Sequence, residues 1–170
     1  MKIPGIIGIM STALLAACAS IPEQPAATAT LSARSGSNVS GSVGFAETSG
    51  GLKIRAKVAG LAPGAHGFHI HEAGDCSAPD AASAKGHFNP AAKAHGHYSE
   101  ADHHGGDMPN LMANAQGEAT FDFTIAGLGL SGPNGVVGRS IVVHADPDDY
   151  KSQPAGNSGA RIACGVIVAR

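Results

Sequence analysis

The stretch GFHIHEAGDC, residues 67–76, places His69 and His71 on either side of a single isoleucine. In an extended strand, side chains two residues apart point to the same face of the sheet. The two imidazole rings would therefore lie side by side, as they must to offer two nitrogen ligands to one metal ion. A pair of histidines on a strand is also common as plain polar surface, so the rest of the chain has to decide between these two interpretations.

Most of the remaining histidines lie in one polar tract, KGHFNPAAKAHGHYSEADHHGGDMPN, at residues 85–110. This tract contains His87, His95, His97, His103, His104 and Asp107. Such a tract alone can be a solvated loop or a loose metal-binding segment. However, His69, His71 and His144 lie at strand positions, which a hydrogen-bonded ladder fixes in space. This distribution favours a built metal site.

The segments around these histidines have the composition of short strands. GLKIRAKVAG alternates apolar residues with Lys53, Arg55 and Lys57, and GEATFDFTIAGL alternates in the same way, as expected of half-buried strands. VSGSVGFAE, SIVVHA and CGVIVA have strong strand propensity. With 24 Gly and 10 Pro as turn residues and no helical periodicity, the chain is predicted to form an antiparallel sandwich or barrel.

Two polar, glycine-rich intervals interrupt this pattern, residues 72–116 and 145–163. Both are far longer than ordinary hairpin connections, and loops of such length are commonly functional. The charge balance points to no nucleic-acid partner, because 11 Lys and Arg stand against 13 Asp and Glu and no basic tract occurs.

The beginning of the chain, MKIPGIIGIMSTALLAAC, reads as an export signal: one lysine, a short apolar run and then small residues. Its apolar run is shorter than the roughly 20 residues that a membrane-spanning helix needs. Its last letters, LAAC, resemble the lipobox of bacterial lipoproteins, in which the cysteine becomes the lipidated first residue. We therefore predict a signal peptide over residues 1–17, then a lipidated Cys18 and a flexible tether over residues 18–30. An ordinary signal cut that leaves Cys18 without a role is the alternative.

The cysteine count agrees with this, because three cysteines in an exported chain leave one unpaired. If Cys18 carries lipid, Cys76 and Cys164 remain, and an oxidising compartment lets them form a disulfide.

Five motifs follow one another in order and at suitable spacing: GFHIHEAGDC, GHFNP, HHGGD, GRSIVVHAD and GNSGARIACGV. With these motifs the chain closely resembles the copper,zinc superoxide dismutases of the bacterial periplasmic type over about residues 31–170. The resemblance implies an all-β domain, a Greek-key sandwich or flattened barrel of immunoglobulin-like architecture with two long loops over the metal site. It implies the disproportionation of superoxide to dioxygen and hydrogen peroxide. A non-enzymatic copper- and zinc-binding sandwich protein is the competing interpretation.

The same resemblance implies a role for individual residues. Copper would be bound by His69, His71, His87 and His144. Zinc would be bound by the shared His87 together with His95, His104 and Asp107. Asp148 would hold the free nitrogens of His69 and His95, and Arg161 would stand at the mouth of the copper site. His66 matches a structural position of the family, whereas His97 and His103 are expected at the surface.

The predicted location is the periplasm or cell envelope, with membrane contact only through a lipid on Cys18. The predicted substrate is superoxide, and the resemblance leaves open a monomer or a homodimer.

Overall fold

The computed structural model describes residue 1 and residues 24–170. The predicted signal peptide, Cys18 and the start of the tether lie outside the described residues. Among the residues that are described, no helix has the length and apolar character needed to cross a membrane.

The described chain folds into ten short strands and one turn of 3₁₀-helix, η1. In chain order they are β1 (Ala27–Ala33), β2 (Ser40–Thr48), β3 (Gly51–Ala59), β4 (Gly64–His66), β5 (Phe68–His71), η1 (Ala82–Ala84), β6 (Leu111–Ala113), β7 (Ala119–Ile125), β8 (Ser140–His144), β9 (Arg161–Val166) and β10 (Val168–Ala169).

Seven strands pair along one antiparallel path in the order β5-β8-β9-β1-β2-β3-β7, with β10 added beside β1. β4 and β6 form a separate two-stranded ladder. The alternation seen in the sequence places apolar residues opposite one another, as in the row of Phe45, Ile54 and Phe123 across β2, β3 and β7. Fully burying one side chain of this size contributes about 1.5–3 kcal/mol.

The sheet curls so that its two end strands face each other across the core. The Phe68 ring of β5 meets the Phe121 ring of β7 edge to face, with centroids 5.1 Å apart. Phe68 and Ile70 of β5 and Ile54 of β3 belong to the same buried cluster. This architecture confirms the predicted all-β sandwich or flattened barrel.

The predicted tether extends too far along the chain. Ala27, Ala29 and Leu31 are buried in β1, where Ala27 pairs with Phe45 and Ala29 with Val43. The sequence of alternating Ala and Thr shows no strong apolar period, but its alanines stand beside Phe45 and Val43 of β2 and share their burial. The folded domain therefore begins at Ala27, and not at residue 31.

The first long loop is fastened to the sheet by a disulfide between Cys76 and Cys164, as predicted. Arg34 adds to this attachment, since its Nε and Nη2 donate to the Cys76 carbonyl at 2.8 and 2.6 Å. The bridge spans 88 residues of sequence, for which the chain-entropy estimate is about 4–5 kcal/mol of stabilisation. The loop that carries most of the histidines is thereby held against β9.

Candidate metal centre

Neighbouring strands position three of the predicted copper ligands. Phe68 and Ile70 of β5 point into the core, so the alternating His69 and His71 point to the outer face. His144 ends β8, the strand paired with β5, and its backbone N–H donates to the Gly67 carbonyl at 2.8 Å.

His87 reaches the same face from the loop through an isolated bridge to His71. One donor atom from each of His69, His71, His87 and His144 lies within 4.8 Å of those of the others. We call these four residues the four-histidine group.

In two of the rings, a hydrogen bond from one nitrogen to a group outside the four-histidine group leaves the other nitrogen to face the group. His69 Nε2 donates to Asp148 Oδ2 at 2.8 Å, which leaves Nδ1 for the group. His71 Nδ1 donates to the Lys85 carbonyl at 2.9 Å, which leaves Nε2. His71 Nε2 and His144 Nε2 are 3.4 Å apart.

A second group forms around one carboxylate oxygen. Asp107 Oδ1 lies 2.8, 3.1 and 3.4 Å from the Nδ1 atoms of His87, His95 and His104. Asp107 Oδ2 instead accepts the backbone N–H groups of His104, at 2.8 Å, and Gly96, at 3.2 Å. Because Oδ2 is bound to the backbone, the carboxylate is oriented so that Oδ1 and three ring nitrogens converge. We call these four residues the aspartate group.

Four ring nitrogens in the two groups are buried without a hydrogen-bond partner: His69 Nδ1, His87 Nε2, His95 Nδ1 and His104 Nδ1. Leaving a buried polar atom unpaired costs about 1–3 kcal/mol, so native structures rarely tolerate several together. Imidazole nitrogens suit both copper and zinc, and three histidines with one carboxylate suit tetrahedral zinc. The donor sets therefore fit one ion of each kind.

Burial keeps three rings of the four-histidine group neutral, whereas one ring of the aspartate group is made more basic by its carboxylate partners. Burial holds the pKa of His71 and His144 well below the ordinary value, and burial together with nearby His69 lowers the pKa of His87 to about 4. These rings are neutral near pH 7, with lone pairs free. Burial also lowers the pKa of His95, but its carboxylate partners Asp107 and Asp148 outweigh burial and raise it to about 9.

Asp148 connects the two groups. Its Oδ2 accepts from His69 at 2.8 Å and its Oδ1 from His95 at 2.9 Å. The Tyr150 backbone N–H also donates to Oδ1, at 2.7 Å. One carboxylate thus fixes the ring orientation of one member of each group.

Two amide side chains that the sequence analysis did not single out fasten the loops together. Asn110 accepts from the Asp148 backbone N–H at 2.8 Å and donates to its carbonyl at 3.1 Å. Gln153 likewise accepts from the His95 backbone N–H at 3.0 Å and donates to the His95 carbonyl at 2.8 Å. Because each partner is 38 or 58 residues away in sequence, no local pattern could have identified these contacts.

A β-bulge brings Arg161 beside the four-histidine group. β8 and β9 pair regularly up to Val143 and Ala163, and then the register shifts so that His144 stands opposite Arg161 and Ile162 is skipped. The positive charge of Arg161 is near enough to contribute to the lowered pKa of His71 and His144. Its Nη1 donates to the Ala81 carbonyl at 2.8 Å, which holds the half-buried side chain in place.

The remaining histidines lie outside both groups. His66 is buried, with its ring nitrogens 2.9 and 2.8 Å from the carbonyl oxygens of His144 and Ala62. The His97 ring packs on Tyr98 and Tyr150, at centroid distances of 4.2 and 4.7 Å. His103 Nδ1 lies 2.6 Å from the His104 carbonyl.

Comparison with known proteins gives a consistent result. A family model described as copper/zinc superoxide dismutase matches residues 39–167. A copper-zinc superoxide dismutase of Deinococcus radiodurans is 42% identical over 91% of this chain and 90% of its own length. Superoxide dismutase 2 of Brassica juncea is 44% identical over 78% of this chain and 91% of its own. An extracellular superoxide dismutase of Brugia pahangi is 40% identical over 76% of this chain and 69% of its own.

Two solved structures share the architecture. The clock protein EA4 superposes with a TM-score of 0.78 at 35% identity, covering 87% of this chain and 97% of that protein. A double mutant of a SOD-like protein from Bacillus subtilis superposes with a TM-score of 0.76 at 37% identity, covering 84% of this chain and 97% of that one.

Gly156 offers a test of how closely the second long loop must approach the ligands. A Cβ atom at this position would overlap Asp148 Oδ1 and come within 2.8 Å of His95 Nε2. We expect Gly156→Ala to displace the Asp148 carboxylate and to lower zinc affinity by roughly 10–100-fold, as for other changes to groups that orient ligands. Equilibrium dialysis against a competing chelator measures this.

Gly132→Ala is the matched control. Gly132 has φ +79° and Gly156 has φ +68°, so both substitutions carry the same backbone strain, but nothing lies within 4 Å of a Cβ at position 132. Equal zinc affinity in the two variants would show that contact with Asp148 is unimportant.

Proposed function

The chain belongs to the copper/zinc superoxide dismutase family, and from this premise we propose that the four-histidine group binds its copper and the aspartate group its zinc. The protein is a superoxide dismutase, with copper and zinc as cofactors and superoxide as substrate. The observation that carries the ligand assignment is that His87 belongs to both groups, with Nε2 facing the histidines and Nδ1 facing Asp107.

In the reaction, two superoxide ions and two protons become one dioxygen and one hydrogen peroxide. Bound copper supplies the one-electron oxidation and reduction, while zinc is redox-silent. The protein's own part is to hold the rings at fixed orientations and to move protons. We assign to His87 Nε2 the uptake and return of one proton in each cycle, because Nδ1 remains on the side of the aspartate group.

Arg161 is the proposed guide for the substrate. A guanidinium stays positively charged and can donate hydrogen bonds to a small anion beside the copper ligands. The hydrogen bond to the Ala81 carbonyl restricts the side chain, and the disulfide at Cys164, three residues later, fixes the strand that carries it. The charge is therefore held at one position rather than on a free side chain.

The non-enzymatic alternative is not favoured. The relatives described above are named superoxide dismutases, and all seven proposed ligands are present together with Arg161. No feature of the described chain needs a separate metal-storage function to explain it.

We further propose that the protein acts in the periplasm or cell envelope and protects it from superoxide. The support is the export-signal pattern of residues 1–17, the lipobox-like end at Cys18 and the Cys76–Cys164 disulfide, which suits an oxidising compartment. A related protein is named as extracellular. A lipid on Cys18 would tie the domain to a membrane.

The shared ligand is tested by His87→Ala. Because the substitution removes a donor from both groups, we expect the copper electronic spectrum to change, zinc to be held more weakly, and activity to fall by several orders of magnitude. His97→Ala is the control, since His97 lies in the same loop but in neither group. Similar small losses in both variants would refute the assignment.

The guide residue is tested by Arg161→Ala and Arg161→Glu. We expect both variants to keep their copper and zinc, while the rate constant for superoxide falls, further for Glu than for Ala. Screening shortens the Debye length from ~30 Å at 0.01 M salt to ~10 Å at 0.1 M, so the wild-type rate should fall with salt more steeply than that of Arg161→Ala. Pulse radiolysis over a salt series measures these rates.

Lys57→Ala removes the same charge from the outer face of β3, in the opposite half of the barrel, and should leave the rate unchanged. If Lys57→Ala and Arg161→Ala slow the reaction equally, net charge rather than a local guide controls the rate.

The anchor is tested on the mature protein. Wild-type protein is expected to partition into detergent and to give an N-terminal peptide with an acylated cysteine at position 18. Cys18→Ser should lose the acyl group but keep its activity per copper ion. An unmodified mature N-terminus beyond residue 18 in the wild type would refute the lipid anchor.

A further inference from the structure

The outer face of β3 carries three basic side chains in a row, Lys53, Arg55 and Lys57. They alternate with Leu52, Ile54, Ala56 and Val58, which are buried in the core. The alternation that fills the core therefore places all three positive charges on one side of the strand, roughly 7 Å apart. We call these three residues the basic row.

The surroundings of the basic row are small and mostly uncharged. The facing positions on β2 are Ser42, Gly44 and Ala46, and β7 contributes Thr120 and Asp122. Together with Pro25 they line a shallow groove of about 420 Å³. No bulky side chain on β2 keeps a flat partner away from the charges.

One carboxylate partly neutralises the row. Asp122 Oδ1 lies 3.0 Å from Lys53 Nζ, and Asp122 Oδ2 lies 3.1 Å from Arg55 Nε. Among the described residues Lys57 forms no ion pair, and Glu118, at the rim, is not within pairing distance of it. The face keeps a net positive charge although the whole chain has a formal net charge of −2.

The chain leaves the described domain on this same face. Pro25 lies over Gly44 of β2, where a Cβ on the glycine would come within 3.0 Å of the Pro25 Cβ, and Pro25 lines the groove with Lys53 and Arg55. Six residues lie between Cys18 and Pro25, so the two positions are seven residue steps apart. Fully extended, seven steps reach at most roughly 25 Å.

A domain of this size is roughly 35–40 Å across. A tether of that reach is shorter than the domain is wide, so a membrane that holds Cys18 cannot lie against the side of the domain opposite to the basic row. This step rests on the lipid anchor proposed above; the charge of the face does not.

We propose that the basic row is a docking surface for anionic phospholipid headgroups of the membrane to which the chain is tethered. Its positive charge complements the phosphates, and each basic side chain near an anionic surface strengthens binding about fivefold. The metal ligands His69 and His71 project from the outer face of β5, in the half of the barrel that packs against β3 from the other side of the core. Docking therefore turns the metal centre away from the membrane and leaves it open to a soluble substrate.

The test uses the full chain carrying Cys18→Ser, so that the presence or absence of a lipid does not affect the result. Its metal-loaded form is sedimented with vesicles of phosphatidylcholine alone and with vesicles that also contain phosphatidylglycerol. The ratio of the two binding constants isolates the electrostatic part from any apolar contact made by the N-terminal segment. We expect tighter binding to the anionic vesicles, lost as salt shortens the Debye length from ~10 Å at 0.1 M to ~3 Å at 1 M.

Variants then locate the contact. Arg55→Gln with Lys57→Gln should weaken binding to anionic vesicles on the order of twentyfold, at about fivefold for each charge. Asp122→Asn removes the neutralising carboxylate and should strengthen binding about fivefold. Lys93→Gln with Lys151→Gln, which removes two charges from the loops, is the matched control and should leave binding nearly unchanged.

Equal binding to neutral and anionic vesicles would overturn the proposal, as would equal weakening by the two double variants, because net charge alone would then explain binding. An acylated Cys18 in a protein whose basic row makes no difference would separate the two proposals: the anchor would stand and the docking surface would not.

Discussion

One imidazole ring, that of His87, belongs to both groups of buried ligands, and the geometry of both groups depends on where this ring lies. Its position is set by the backbone beside it. The Phe88 N–H donates to the Ile70 carbonyl at 2.8 Å, and the Gly106 N–H donates to the Phe88 carbonyl at 2.8 Å, so the loop takes the place of a neighbouring strand along the edge of β5. A Cβ on Gly106 would overlap the Ile70 carbonyl oxygen, so a side chain there would push the loop away. Ordinary backbone hydrogen bonding therefore places the ring between the two groups.

The two groups are held together by contacts that do not involve a bound ion. The first long loop is joined covalently to β9 through Cys76, a constraint of about 4–5 kcal/mol in the chain-entropy estimate. The carboxylate of Asp148 orients His69 and His95, and the Lys85 carbonyl orients His71. Four ring nitrogens of the two groups are buried without a hydrogen-bond partner, and a bound cation would use their lone pairs.

The sequence was sufficient for those parts of the fold and site that depend on local patterns. Alternation in β3 and β7 predicted half-buried strands, and the spacing of His69 and His71 predicted two rings on one face. Contacts between distant segments were beyond such reasoning: the amide of Gln153 on the His95 backbone and the register shift opposite Arg161 leave no local trace. The start of β1 was missed for a different reason, since small alternating residues in the sequence look like a tether until the large side chains beside them in the sheet are known.

In this protein the distribution of charge over the surface matters more than the net charge. The formal net charge is −2, so an anion at long range is weakly repelled, yet positive charge is concentrated at two separate places. Arg161 lies beside the four-histidine group, because the β-bulge places it opposite His144. The basic row lies on the outer face of β3. Since fields between exposed charges are largely screened beyond ~10 Å at 0.1 M salt, the two places act independently across a domain of this width. The charge of the basic row can therefore serve a membrane surface without changing the field that a superoxide ion meets at the metal centre.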